Sequence, residues 1–185
     1  MIPRRTNRLA ELQSKEWERE STEEALTQIA ETGVTNLHVL GDEHSMSWSY
    51  STGMYDTWGQ PEIIMTGFPN GLASSILAAI AESNAEGKFL HADERTPKLI
   101  QNYDCIFRPV EDVWVKRLML RSTWFYGDIP FPVLQCICHD FENHFPWEEQ
   151  FDRNWRSRQA LLQPGVRKTN AERKLWNASG SDVCN

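Results

Sequence analysis

Within nine residues the chain places Cys136, Cys138, His139, Asp140 and His144, its densest group of metal-ligand side chains. On a strand, side chains two apart share a face, so the Cys136 and Cys138 thiols can reach one ion. His144 returns from the following loop as a third ligand, and His44 or His91 offers a fourth. Zinc suits such a set of sulfur and imidazole donors. The spacing is C-x-C-H, not the paired C-x-x-C of structural zinc sites, and small thiols also simply pack buried strand faces. A thiol nucleophile is a weaker reading. Cys138 and His139 are neighbours and face opposite ways, so either thiol would need His44, His91 or His144 from elsewhere.

Carboxylates form a second set. Glu62, Asp140 and Glu148 stand at element ends, where a buried pair could do acid–base work. Each also has a structural use. Asp140 suits an Asx turn after its strand. Glu148, following Pro146-Trp147, suits the first turn of a helix. Glu62 suits loop amides or an arginine partner.

Aromatic residues form a third set. The chain has eight Trp and eight Phe, so it holds either a bulky core or an aromatic-lined pocket. Trp48, Tyr50, Trp58, Trp114, Trp124 and Trp147 are its main candidates. Core packing accounts most readily for Trp114 and Trp48, whereas Trp58 sits in a polar loop. Taken with Thr52, Glu62, Asp140 and Glu148, the residues Trp48, Tyr50, Trp58 and Trp147 would line a cleft for a peptide, a protein or a small molecule.

The elements that must position these residues follow from periodicity. Ser21 and Glu24 form a capping box before a helix over 22–32 that Gly33 ends. Thr35, Leu37 and Val39 alternate as a strand, and Met46, Trp48, Tyr50 and Thr52 alternate as its hairpin partner. The opposite face of that second strand is all serine, which suits solvent or a close-packed neighbour. Glu62–Thr66 reads as a short central strand. Leu72, Ile76 and Ile80 mark the core face of the next helix. Phe89–Lys98 reads as irregular, Tyr103–Phe107 as a strand, Glu111–Tyr126 as one helix and Val133–Cys138 as a strand. Glu148–Leu162 reads as a helix closed by Pro164 and Gly165. The sum is an α+β domain with a mostly antiparallel or mixed sheet of about five strands packed by three to four helices. Residues 1–20 form a polar arm, 21–163 the domain, and 164–185 a basic, mobile tail.

Composition narrows the function. The net charge is −7, which disfavours broad contact with nucleic-acid backbones. Between Arg153 and Lys174, however, seven basic residues face Glu172 alone, a local +6 that leaves −13 elsewhere. That segment offers the one route to nucleic acid or an acidic partner. Four cysteines in no secreted framework imply free thiols in a reducing compartment, hence the cytoplasm. No apolar stretch reads as a signal peptide or a membrane span. No phosphate loop, dinucleotide fingerprint, nucleophile elbow or HExxH is present.

Several pieces in order carry a resemblance. They are Trp48-Ser49-Tyr50-Ser51-Thr52-Gly53-Met54, then Pro61-Glu62-Ile63-Ile64 with Gly67 and Pro69, then Leu134-Gln135, Asp140, and Phe145-Pro146-Trp147-Glu148. Over residues 22–163 this order resembles the bacterial family known as domain of unknown function number 4262. The sequence departs from that family's pattern at Ser51-Thr52-Gly53-Met54, where threonine-isoleucine-glycine-leucine is usual. It departs again at Cys138-His139, where an apolar residue and proline are usual, so cysteine chemistry is not inherited. The resemblance implies a fold and no specific activity. The expectation is a recognition module using the aromatic cleft. The alternative is a metal-dependent zinc hydrolase, or a metal-stabilised domain, built on Cys136, Cys138 and His144.

Overall fold

The structure is a computed structural model that describes residues 20–41, 46–100, 103–165 and 169–178. The polar arm over residues 1–19, His44 in the hairpin connection, and Cys184 lie outside the described residues. In chain order the elements are α1 (Glu20–Thr32), β1 (Thr35–Val39), β2 (Trp48–Thr52), α2 (Met54–Trp58), β3 (Glu62–Thr66), α3 (Asn70–Ala85), β4 (Arg95–Ile100), β5 (Tyr103–Pro109), α4 (Asp112–Leu118), α5 (Leu120–Tyr126), β6 (Val133–Cys138), α6 (Arg153–Arg156) and α7 (Asn170–Ala178).

The fold is α+β, built on a six-stranded mixed sheet ordered β1-β2-β3-β6-β5-β4. Only β3 and β6 run parallel; the other four pairings are antiparallel. β3 and β6 lie at the centre and are buried at every residue. That explains why both read as near-continuous apolar runs rather than as alternating ones.

Period-two alternation sends side chains into two layers. Ile63 and Met65 face α3, whose Ala73, Ile76, Leu77 and Ile80 cover that side, while Ile64 faces the opposite layer with Trp48, Tyr50, Trp114 and Leu118. Leu72 stands at the exposed rim of α3 rather than in its core stripe. The serine face of β2 meets a close-packed neighbour. Ser49 bonds His38 at 2.8 Å, and the other nitrogen of His38 bonds Ser74 of α3 at 3.0 Å.

Five elements differ from the sequence expectations, the first being α2, a short helix over Met54–Trp58 where Trp58 was expected in a polar loop. A sixth strand, β4, occupies part of the stretch read as irregular. Its sequence lacks alternation and contains Pro97, which an edge strand tolerates because one side of its ladder is unused. Its register with β5 breaks between Thr96 and Ile100, around that proline. The helix over 111–126 is two helices, because Met119 leaves helical geometry at φ −107°, ψ 52°. The break lets α4 serve the layer of Trp48 while α5 turns Phe125 and Tyr126 toward Leu26 and Ile29 of α1.

The helix expected over 148–162 is reduced to the single turn α6. Here side-chain amides tie the segment to the sheet in both directions. Gln135 receives the Leu162 amide at 2.9 Å and donates to the Ala160 carbonyl at 2.6 Å, and Gln159 bonds both backbone groups of Cys138. The segment passes so close to the sheet that a Cβ on Gly67, at φ +74°, would lie 1.8 Å from the Arg158 carbonyl oxygen. Only glycine fits there.

Finally, the basic tail contains α7, which packs on the sheet rather than standing apart. Ala171 and Leu175 are buried in the layer of Trp114. Buried Glu172 accepts the Leu161 amide at 2.7 Å, and Arg117 stacks over Trp176 at 4.1 Å.

Candidate functional site

β5 and β6 pair antiparallel with Cys105 opposite Cys138 and Phe107 opposite Cys136. Side chains two apart share a face, so this register brings three thiols together on the α3 side of the sheet. Cys105, Cys136 and Cys138 are all buried, and their sulfurs lie within 4.8 Å of one another. The Cys105 and Cys138 sulfurs are 3.1 Å apart. Hydrogen bonding from the Cys136 and Cys138 thiols pulls Cys105 down to about 5, whereas Cys136 and Cys138 are held well above the ordinary thiol range. All three are free cysteines.

The third member of the cluster is therefore Cys105, not His144. His144 is half-buried outside the cluster, with Nδ1 3.7 Å from Asp140 Oδ1 and 3.9 Å from Glu142. His139 is buried but bonded locally. Its Nε2 accepts the Asp104 amide at 3.0 Å, which leaves Nδ1 to donate to the Asp140 carbonyl at 2.5 Å. His91 is exposed. Cys105 stood in the alternating Tyr103-Cys105-Phe107 pattern, but only the β5–β6 register reveals its partners.

The predicted cleft residues do not gather in one place. Trp48 and Tyr50 are interior to one layer. The Trp48 indole donates to the Leu118 carbonyl at 3.0 Å, and the Tyr50 hydroxyl accepts the Arg121 amide at 3.2 Å. Thr52 is buried against Ser122 at 2.7 Å. Trp58 packs on the opposite layer, against the cluster of α3, with its ring over Gly33.

Glu62 is fully buried and accepts four hydrogen bonds. Ser51 donates to Oε2 at 2.5 Å. Tyr126, Gly53 and Tyr55 donate to Oε1 at 2.5, 2.8 and 3.1 Å, the last two through backbone amides. Gly53 sits at φ +111° to aim those amides of α2 inward. Burial pushes the Glu62 carboxyl up, and the Ser51 and Tyr126 hydroxyls partly offset this. This is a closed box that fixes α2 to β3.

Asp140 collects amides in the same way at the end of β6. Its Oδ1 accepts from Glu142 and His144, each at 2.9 Å, and its Oδ2 accepts from Asp152 at 2.8 Å. The first of these is the Asx turn that the sequence suggests. Burial alone would raise its carboxyl, but the three amides outweigh burial and hold it below the ordinary aspartate value. Glu148 stands in no helix; its carboxylate instead accepts the Phe145 amide, and its carbonyl accepts from Arg156 at 2.6 Å.

The loop fixed by these two acids displays aromatic side chains. Phe145 is buried and stacks flat on Trp147, with centroids 5.0 Å apart and planes at 0°. Trp147 is 42% exposed and Phe141 73%. Arg108 of β5 lies over Trp147 at 4.3 Å, and Arg95 of β4 lies over Phe145 at 5.4 Å. Asp93 and Asp104 pair with those arginines at 3.2 and 2.8 Å. Phe141 meets Trp155 edge-on at 5.2 Å. Trp147, Asp140 and Glu148 stand among the sequence candidates, and the two arginines do not, because their place depends on strand register.

Residues 28–152 match the family described as Domain of unknown function (DUF4262), and the chain belongs to that family. No curated protein and no solved structure matches the chain.

Proposed function

We propose that the domain is a recognition module whose contact surface is the aromatic and arginine face of the 139–156 segment against β4 and β5, and that it takes a protein or peptide partner. The observation that carries this reading is Trp147, exposed yet fixed in place by Phe145 below it and Arg108 across it. Rigid, partly exposed aromatics beside arginine are the side chains that most often dominate protein interfaces. The loop that presents them is pinned by Asp140 and Glu148, so little order has to be gained on binding. Trp48 and Tyr50, on β2 and separated from β5 by β3 and β6, belong to the core rather than to this face. Among the described residues no helix is long and apolar enough to cross a membrane. Free buried thiols support a reducing compartment such as the cytoplasm.

The test is a photo-crosslinking residue placed at Phe141 or Trp147, with exposed Leu120 on α5 as the control position. The reading predicts one dominant adduct from positions 141 and 147 that position 120 does not give. Equal adducts from all three positions would sink it.

A second reading, a metal-stabilised domain, is favoured by the three clustered thiols. Hydrolysis is not part of it, because a site buried in the core admits no substrate. Removal of metal by a chelator should then lower the melting temperature of the purified protein, and an unchanged melt would count against the reading.

A further inference from the structure

We propose that Cys105, Cys136 and Cys138 form a three-coordinate site for one soft, monovalent d10 metal ion, copper(I) in chemical class, held in the core between the β5–β6 pair and α3. The proposal rests on the metal-stabilised reading and names the ion and its geometry.

Ligand chemistry excludes most ions. The three sulfurs are held within 4.8 Å of one another. They belong to the apolar cluster that also holds Phe107 and the α3 residues Leu77 and Ile80. Calcium and magnesium require oxygen ligands, and the site offers none. Thiolates select soft ions, principally copper(I) and zinc.

Ligand number separates those two. A structural zinc ion takes four ligands in a tetrahedron. Among the described residues no further histidine, cysteine or carboxylate joins the group of three. His139, the nearest candidate by sequence, has its two ring nitrogens turned to the Asp104 amide and the Asp140 carbonyl. Copper(I) accepts three sulfurs in a plane. With metal–sulfur bonds of about 2.3 Å, a planar set needs sulfurs roughly 4 Å apart. The three sulfurs, all within 4.8 Å of one another, span that distance once the Cys105–Cys138 contact opens from 3.1 Å.

Metal binding takes thiolates, so each cysteine that ligates gives up its proton, and in a dry core every thiolate is a charge withdrawn from water that the ion must offset. No redox step is involved: the ion is supplied as copper(I), and each thiol that becomes a thiolate releases one proton to solvent. Because the sulfurs are buried, the ion enters during folding or a local opening, as metals that stabilise folds commonly do.

The experiment uses the full chain carrying Cys184→Ser, so that any signal comes from the core. The protein is unfolded and refolded without oxygen, under a thiol-free reductant, with copper(I) or with zinc(II). Native mass spectrometry counts the ions, and ultraviolet absorption reports thiolate-to-metal charge transfer. The expected result is one copper(I) per chain, a charge-transfer band, a higher melting temperature, and at least a tenfold weaker hold against a competing copper(I) chelator in Cys105→Ser or Cys136→Ser. His144→Ala should leave all of these unchanged. Circular dichroism of the cysteine variants establishes that they fold. One zinc(II) per chain with copper(I) ignored would overturn the ion assignment and leave the metal-stabilised domain standing. Uptake of neither ion would overturn both.

Discussion

Glu62 and Asp140 are buried carboxylates that each gather backbone amides from the segment beside them, yet they build different things. Glu62 is boxed by Ser51, Tyr126 and the start of α2, all of them buried except the half-buried Tyr55. Asp140 holds a loop whose outer side carries Phe141 and Trp147. A carboxylate on loop amides is thus a general fastener. What distinguishes a functional face is the set of side chains that the fastened loop turns outward.

The largest effect that this comparison predicts is at Glu62. Glu62→Ala leaves two hydroxyls and two amides without their acceptor, each unmet group costing ~1–3 kcal/mol. The variant should lose about 3 kcal/mol or more in chemical denaturation. A loss below about 1 kcal/mol would show that water or repacking replaces the carboxylate. Tyr126→Phe should lose less, about 1 kcal/mol, since it removes one bond and its donor together.

Asp140→Ala comes next, at about 1–3 kcal/mol, because its partners lie nearer to solvent and water can replace part of the lost bonding. It should also raise amide exchange at Glu142, His144 and Asp152 selectively. Uniform loosening of the whole sheet would contradict the loop-fastener role.

The two acids also separate by pH. The folded-state Asp140 carboxyl lies below its ordinary value of 3.8, so its stabilisation is present above that value and is lost as pH falls through the lowered one. Glu62 lies above its ordinary value of 4.5, so its contribution is present at lower pH and fades as pH rises through the raised one. Melting temperature measured against pH should therefore lose part of its acid-side fall in Asp140→Asn. In Glu62→Gln it should lose part of its decline above the ordinary glutamate range. Parallel curves for wild type and both variants would refute the opposite signs.

Trp147→Ala should have the smallest effect on stability, within about 1 kcal/mol, because a half-exposed ring buries little. Its cost should appear in partner binding instead.

Much of the fold was legible because its signals are local. Alternation in β2, the apolar run of β3 and the thiol spacing of β6 each depend on period-two geometry within one strand. The pieces that escaped depend on contacts distant in sequence. β4 has Pro97 and no alternation, and becomes a strand only by pairing with β5. The 148–162 segment has helical spacing, yet Gln135 and Gln159 draw its C-terminal end to the sheet. The same limit governs the sites. Cys136 and Cys138 announce each other, whereas Cys105 joins them through register. Trp48, on an alternating strand, already reads as core, whereas only packing shows that the Trp147 ring is half-exposed.

The most direct test of the exposed aromatic face is oxidative footprinting of Trp147 and Phe141 in cells that make the protein, against the purified chain, with Leu40 and Leu120 as exposed references. A recognition face predicts that Trp147 and Phe141 are protected in the cell and labelled once purified, while the two leucines label equally in both. Equal labelling of Trp147 and Phe141 in both settings would contradict it.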